Sequence, residues 1–301
     1  MHIRAFARSP FAALALLSFT AAAAAQQPDT GKAPPKENKP LGFLTDTTTK
    51  YGLVPKTFTI AVGGYLPSVH TKVKLSTPSF PGTDIDLENK LGFKTTNQSI
   101  DIQAALRIGQ KQLITLGYFG FQRSSTKSIN DSIRFGDSLY EAGATVDVRT
   151  RLEYYGLTYR YYFWRYARWR LGAGLGIDAF TTNLSLGIKV ASGGGFADSA
   201  KKSGGFTAPA PMLGIYGDWE FVPRFFLRGQ LQYFAVADIA SYGGHFTDDR
   251  LAVDWYPFHN YGIGVMYHYV GTQIYKKLDN GGKLTFNYDI QGPALYLTAA
   301  F

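Results

Sequence analysis

The chain has 301 residues, 45% of them hydrophobic and 15% aromatic, with a formal charge of +9 and no cysteine. Without cysteine there are no disulfides, no thiol catalysis and no thiolate-bound metal. The basic residues are scattered along the chain rather than grouped, so a nucleic-acid partner is not expected.

Arg4 and Arg8 open the chain, an apolar run from Phe11 to Phe19 follows, and an alanine tract closes at Ala23-Ala24-Ala25. A basic start, a short apolar core and small residues at the cut describe a secretory signal peptide. Residues 1–25 are therefore expected to be removed, leaving Gln26 first. The run is about half the ~20 residues that a spanning helix needs. Removal leaves 29 basic against 22 acidic residues, about +7. The next stretch, QQPDTGKAPPKENKPLGFLTDTTTK, is rich in Pro, Lys and Thr. It buries too little apolar surface to offset the entropy of ordering it, so residues 26–55 are expected to form a disordered periplasmic tail.

From Lys56 onward the pattern is alternation. Ile100, Ile102, Ala104, Leu106 and Ile108 interleave with Asp101, Gln103, Ala105 and Arg107. Trp169, Leu171, Ala173, Leu175, Ile177 and Ala179 interleave with Arg168, Arg170, Gly172, Gly174, Gly176 and Asp178. The same holds from Phe225 to Ala235 and from Tyr261 to Tyr269. Successive strand residues point to opposite faces, so each segment has one apolar and one polar face. Aromatic residues near the segment ends (Tyr155, Phe163, Trp169, Trp219, Phe221, Trp255, Tyr261) suit the interfacial girdles of a membrane barrel.

Ten strands are expected, over about 57–76, 96–108, 111–124, 146–164, 168–189, 205–222, 224–240, 248–257, 260–274 and 283–301. Tight connections alternate with longer polar ones near 77–95, 124–145, 190–204, 241–248 and 275–283. The expected fold is thus all-β: residues 56–301 form a closed antiparallel up-and-down transmembrane β-barrel, with short periplasmic turns and longer outer loops. The expected location is the outer membrane of a Gram-negative cell. Pro67 threatens the first strand, because a proline inside a strand marks an edge, break or bulge. In the last segment the apolar parity switches around Gly292-Pro293, through either a bulge or a rise of residues 284–291 above the bilayer. Phe301 shares the lipid-facing parity of Leu295 and Leu297 and is expected to act as the insertion signal read by the barrel-assembly machinery.

Four stretches, GTDIDLENKLGF (82–93), IRFGDSLYEAGATVD (133–147), YGLTYRYYFW (155–164) and GPALYLTAAF (292–301), give the body from about residue 57 a resemblance. It resembles a widespread group of uncharacterised bacterial outer-membrane β-barrel proteins. The likeness implies fold and location and brings no activity.

For the lumen, inward parity selects Arg107, Arg160, Arg168, Arg170, Arg224 and Arg228, with acids including Asp101, Asp178, Asp218, Glu220, Asp238 and Asp254. A ten-strand barrel is only slightly wider than one filled by side chains, and crowded charges there must pair. The expectation is a salt-bridged, largely filled lumen with Asp218 and Glu220 between the arginines and Glu220 at the centre. A narrow anion-preferring, porin-like pore is the first rival. A surface-binding protein using Tyr140, Phe196, Phe206 and Phe246 is the second. A third is an enzyme: ten strands match the omptin proteases, which use an Asp pair and an Asp-His pair. Asp84 and Asp86 supply an Asp-x-Asp and Asp248-Asp249 lies near His245, but no Asp-x-His occurs. A lipid-modifying enzyme would want Ser beside His268. The chain is expected to be non-catalytic, with no cofactor and no metal. Asp84, Asp86 and Glu88 form a candidate loop cation site through hard oxygens. The five histidines are too scattered for zinc. Outer-membrane lipids and lipopolysaccharide are the expected neighbours.

Overall fold

The computed structural model describes residues 56–301, apart from residues 83, 129, 131, 136, 137, 141, 144, 167, 193, 194, 240 and 280. The expected signal peptide and tail therefore lie outside the described residues.

The strands in chain order are β1 (Phe58–Tyr65), β2 (Ser68–Ser76), β3 (Ile85–Asp86), β4 (Ser99–Ile108), β5 (Gln112–Ser128), β6 (Ile133–Phe135) and β7 (Ser138–Tyr140). They continue as β8 (Thr145–Arg165), β9 (Trp169–Ser192), β10 (Gly195–Val222), β11 (Phe225–Ile239), β12 (Tyr242–Trp255), β13 (Tyr261–Lys277) and β14 (Lys283–Ala300). The main sheet has twelve strands, against the ten expected. Ten of them run β1-β4-β5-β8-β9-β10-β11-β12-β13-β14, and β14 pairs back with β1 to close an antiparallel barrel. A closed ring leaves no row of unpaired backbone groups at an edge.

The difference in count comes from Pro67. The expected first strand is two strands, β1 and β2, interrupted at Leu66-Pro67 where proline has no N–H to donate. Both pieces pair with β14 in one register, Tyr65 opposite Ala294 and Ser68 opposite Gln291. The line and its parity therefore pass through the break. β3 adds the twelfth strand against β2. β6 and β7 form a separate hairpin.

Two polar stretches expected to be loops are strand. Residues 190–192 belong to β9 and 195–204 to β10, and β12 starts at Tyr242, after a turn with Ser241 at φ 71. On β14 the register against β13 runs unbroken from Lys283 to Ala299, so no bulge sits at Gly292-Pro293. Phe286, Tyr288 and Ile290 instead face inward there and are buried. Outward positions near them carry Thr285, Asn287 and Asp289.

The outer wall is therefore divided by height. Toward the short-turn end it exposes Ile100, Leu106, Leu157, Leu175, Ile177, Leu213, Ile215, Val265, Leu295 and Leu297. Toward the long-loop end the outward residues become Arg149, Arg151, Asn183 and Thr207. The interior reverses this, with the large apolar core cluster, including Val69, Phe121, Val148, Phe180 and Tyr288, lying mostly toward the loops. Below the belt's upper edge the strands are polar inside; above it they are apolar inside.

Candidate functional site

Three groups of side chains lie in the interior. Nearest the short turns, the antiparallel register sets Asp218 opposite Arg170 on one side and Arg228 on the other. Asp218 forms a buried ion pair with Arg170, whose guanidinium lies 4.1 Å from the Tyr162 ring centroid. Arg228 turns away to Asp254 at 3.0 Å. Asp254 also accepts from the Tyr296 hydroxyl at 2.6 Å, and Arg228 donates to Tyr256 Oη at 3.2 Å. Arg160 donates to Gln230 Oε1 at 2.7 Å and lies 4.2 Å from the Tyr216 ring centroid. Arg107 points inward on β4, and its Nε and Nη2 are buried without a hydrogen-bond acceptor.

This corrects the expected charge layer in three places. Glu220, opposite Phe226 in the strand register, is buried, but its carboxylate accepts the Arg224 backbone N–H at 3.0 Å. It ties down the turn and is not the centre of an Arg–Glu–Arg layer. Arg168 and Arg224 are exposed in the short turns, and Arg224, at φ 71, donates to the Pro257 carbonyl at 2.9 Å. The parity count fails there because the register shifts between Glu220 and Val222. The pairs that form are Arg170–Asp218 and Arg228–Asp254.

The middle group is centred on Asp248 of β12. Its Oδ2 accepts from the Tyr154 hydroxyl at 2.5 Å and from Arg250 Nη2 at 3.1 Å. Its Oδ1 accepts from Arg250 Nε at 3.1 Å and Gln230 Nε2 at 2.9 Å. His268 Nε2 lies 3.3 Å from Oδ1 and 3.2 Å from Arg250 Nε. Its ring is enclosed by Tyr65 and Phe119 at centroid distances of 5.6 and 5.4 Å. The planar fork of Arg250 meets the carboxylate on two atoms, the geometry that makes such pairs strong and directional. Asp178 is buried nearby with neither oxygen hydrogen-bonded. Asp248 and His268 are both 0% exposed, so this acid, imidazole and phenol do not meet solvent.

Sequence reasoning placed Asp248 at the boundary between an outer loop ending at 248 and a strand beginning there. Counting parity back from Trp255 and Val253, which face outward, would have put Arg250 and Asp248 inside. Asp248 and Asp249 occupy opposite faces as strand neighbours do, so they are not a paired-aspartate site. Phe246, expected on a binding loop, is buried against the Tyr154 and Phe180 rings. The side chains of Tyr140, Phe196 and Phe206 lie outside the described residues.

The third group closes the long-loop end. Residues 86–92 make a helical turn, with the Lys90 and Leu91 N–H groups donating to the Asp86 and Leu87 carbonyls at 2.9 and 3.2 Å. Asp86 caps it, its Oδ1 accepting the Asn89 N–H at 2.8 Å. The turn drives Ile85, Leu87, Leu91 and Phe93 into the core. Glu88 enters with them. It meets Arg123 Nη1 at 2.5 Å and accepts the Thr71 N–H at 2.7 Å. Arg123 lies over the Phe93 ring at 5.0 Å. Asp84 points elsewhere, to Lys74 at 3.3 Å. The structure therefore does not gather Asp84, Asp86 and Glu88 into a cation site. Among the described residues no three His, Asp or Glu side chains could hold a metal ion. Phe301 is exposed, and its backbone exchanges two hydrogen bonds with Phe58, 2.7 and 2.9 Å long, at the barrel seam.

No family model matches the chain, and no curated protein does. Among solved structures, the chain is similar to the outer membrane protease OmpT from Escherichia coli at 13% identity and a TM-score of 0.49, covering 84% of this chain and 100% of that one. It is similar to the translocator domain of the autotransporter NalP from Neisseria meningitidis at 10% identity and TM-score 0.45, covering 84% and 91%. The toluene transporter TodX of P. putida matches at 7% identity and TM-score 0.33, covering 82% and 91%. A protease, a translocator and a transporter share no single activity.

Proposed function

We propose that the chain is an integral outer-membrane β-barrel whose lumen is sealed by its own side chains, a non-conducting and non-catalytic membrane component. The short-turn end faces the periplasm and the long-loop end the outside. The observation that carries the membrane reading is the outer belt. Apolar side chains stand in a band around the ring, and all four tryptophans of the chain, Trp164, Trp169, Trp219 and Trp255, sit at its short-turn border. Amphipathic rings of this kind settle at headgroup level. What supports a sealed lumen is the succession of Arg170–Asp218, Arg250–Asp248 and Glu88–Arg123 along the axis, each buried among aromatic rings. An enzyme would need the Asp248–His268–Tyr154 cluster to open toward a substrate. Outer-membrane lipids, lipopolysaccharide and the assembly machinery remain the proposed neighbours.

Tryptophan fluorescence tests the placement. In liposomes doped with brominated phosphatidylcholines, bromine near the headgroup is expected to quench emission more than bromine at the chain ends. Equal quenching at every depth, or none, would contradict the belt as a membrane-spanning surface.

A further inference from the structure

The belt is not a smooth cylinder. A groove of about 560 Å³ lies on its outer face across β8, β9, β10 and β11. Cross-strand register explains its form. One row runs Tyr161–Ala173–Ile215–Leu231, and the row on its loop side runs from Tyr159 to Tyr233. Ala173 is small between Tyr161 and Ile215, so the wall is hollowed there. On the short-turn side the next outward pair is Gly217 opposite Gly229, and a methyl group added at Gly229 would meet nothing within 4 Å. The hollow thus continues toward the short turns. Lys111 Nζ lies 5.9 Å from the Tyr161 ring centroid, at the foot of the groove. Lys111 is exposed there, whereas Arg165 pairs in register with the inward-facing Arg170 and donates to Gln110 Oε1 at 2.9 Å, and Arg224 donates to the Pro257 carbonyl.

An apolar trough leading to an exposed lysine matches an acyl chain joined to an anionic phosphate. We infer that this groove is a binding site for an anionic glycerophospholipid of the periplasmic leaflet, its chain along the Ala173 hollow and its phosphate against Lys111. The inference rests on the membrane orientation proposed above. Lipopolysaccharide is not the occupant, because Lys111 lies at the periplasmic end of the groove. Each cation beside an anionic headgroup contributes about 1 kcal/mol, which corresponds to about fivefold in affinity.

Native mass spectrometry of the detergent-folded full chain, titrated with phosphatidylglycerol, phosphatidylcholine of the same chains, or lipopolysaccharide, tests the site. Phosphatidylglycerol is expected to be retained at least about fivefold over phosphatidylcholine. Lys111→Glu should erase that preference. Ala173→Trp fills the hollow and should lower retention of both phospholipids; Leu213→Trp serves if that variant does not fold. Equal retention of the two phospholipids, tighter binding of lipopolysaccharide, or indifference to the tryptophan variants would overturn the site. A heat-modifiable band on a cold gel reports folding separately. A protein that folds and embeds but shows no preference refutes the lipid site alone, and one that never embeds refutes the membrane reading.

Discussion

Asp248→Ala is expected to cost the barrel about 3–5 kcal/mol, because it strands the Arg250 guanidinium inside the wall. Asp248 is the shared acceptor for Tyr154, Arg250 and Gln230, with contacts of 2.5 to 3.1 Å. Alanine leaves three donors facing one another without an oxygen between them. Water entering the space reduces the loss, so the lower end of the range is expected. Asp248→Asn keeps one acceptor oxygen and loses the charge, and should fall between alanine and the parent. Urea unfolding in detergent, read as a drop in midpoint at constant slope, measures the effect. If the alanine variant unfolds with the parent's midpoint, the middle group is not a stabilising hub.

Glu88→Ala is expected to release the turn that stops the long-loop end. The Glu88–Arg123 pair has side-chain exposures of 4% and 2%, so its arginine has nowhere to hydrate once the partner is gone. Removing one member of such a pair costs about 3–5 kcal/mol, whereas exchanging both for apolar residues is often neutral. Glu88→Ala should therefore open residues 84–93 to limited proteolysis. Glu88→Leu combined with Arg123→Met should restore protection. Ser125 and Lys127 also hold the turn, donating to the Leu91 and Asn89 carbonyls at 2.5 and 3.0 Å. Protection equal in the parent and the single variant would mean that these contacts and the four apolar side chains suffice without the ion pair.

The parts of this architecture that can be read in the amino-acid chain are those where opposite faces meet unlike surroundings. Within the belt one face is apolar and the other polar, so β4, β9, β11 and β13 declare themselves by alternation. Above the belt that contrast fades. The upper β9–β10 hairpin and the first residues of β12 are rich in glycine and polar residues, and they read as loop although the ladder continues through them. Misplacing the start of β12 hid Asp248, which the parity of Val253 and Trp255 could have recovered. Arg107, Arg160, Arg170 and Arg228 were legible as inward from parity alone. Arg168 and Arg224 were not, because parity loses meaning at a tight turn, and the bulge beside Glu220 reassigned that carboxylate to the turn. The inward fold of residues 85–93 was within reach, since Leu87 and Leu91 have the spacing of one helical face. Reading their acids as cation ligands obscured it.

The central claim is that the lumen is closed by its own side chains at several depths. Planar-bilayer recording of the refolded full chain at low and high salt tests it most directly. The parent protein is expected to give no conductance steps above the bare bilayer at either salt concentration. Reproducible steps from the parent, with a reversal potential showing anion preference, would contradict a sealed lumen and establish a conduit past the arginines.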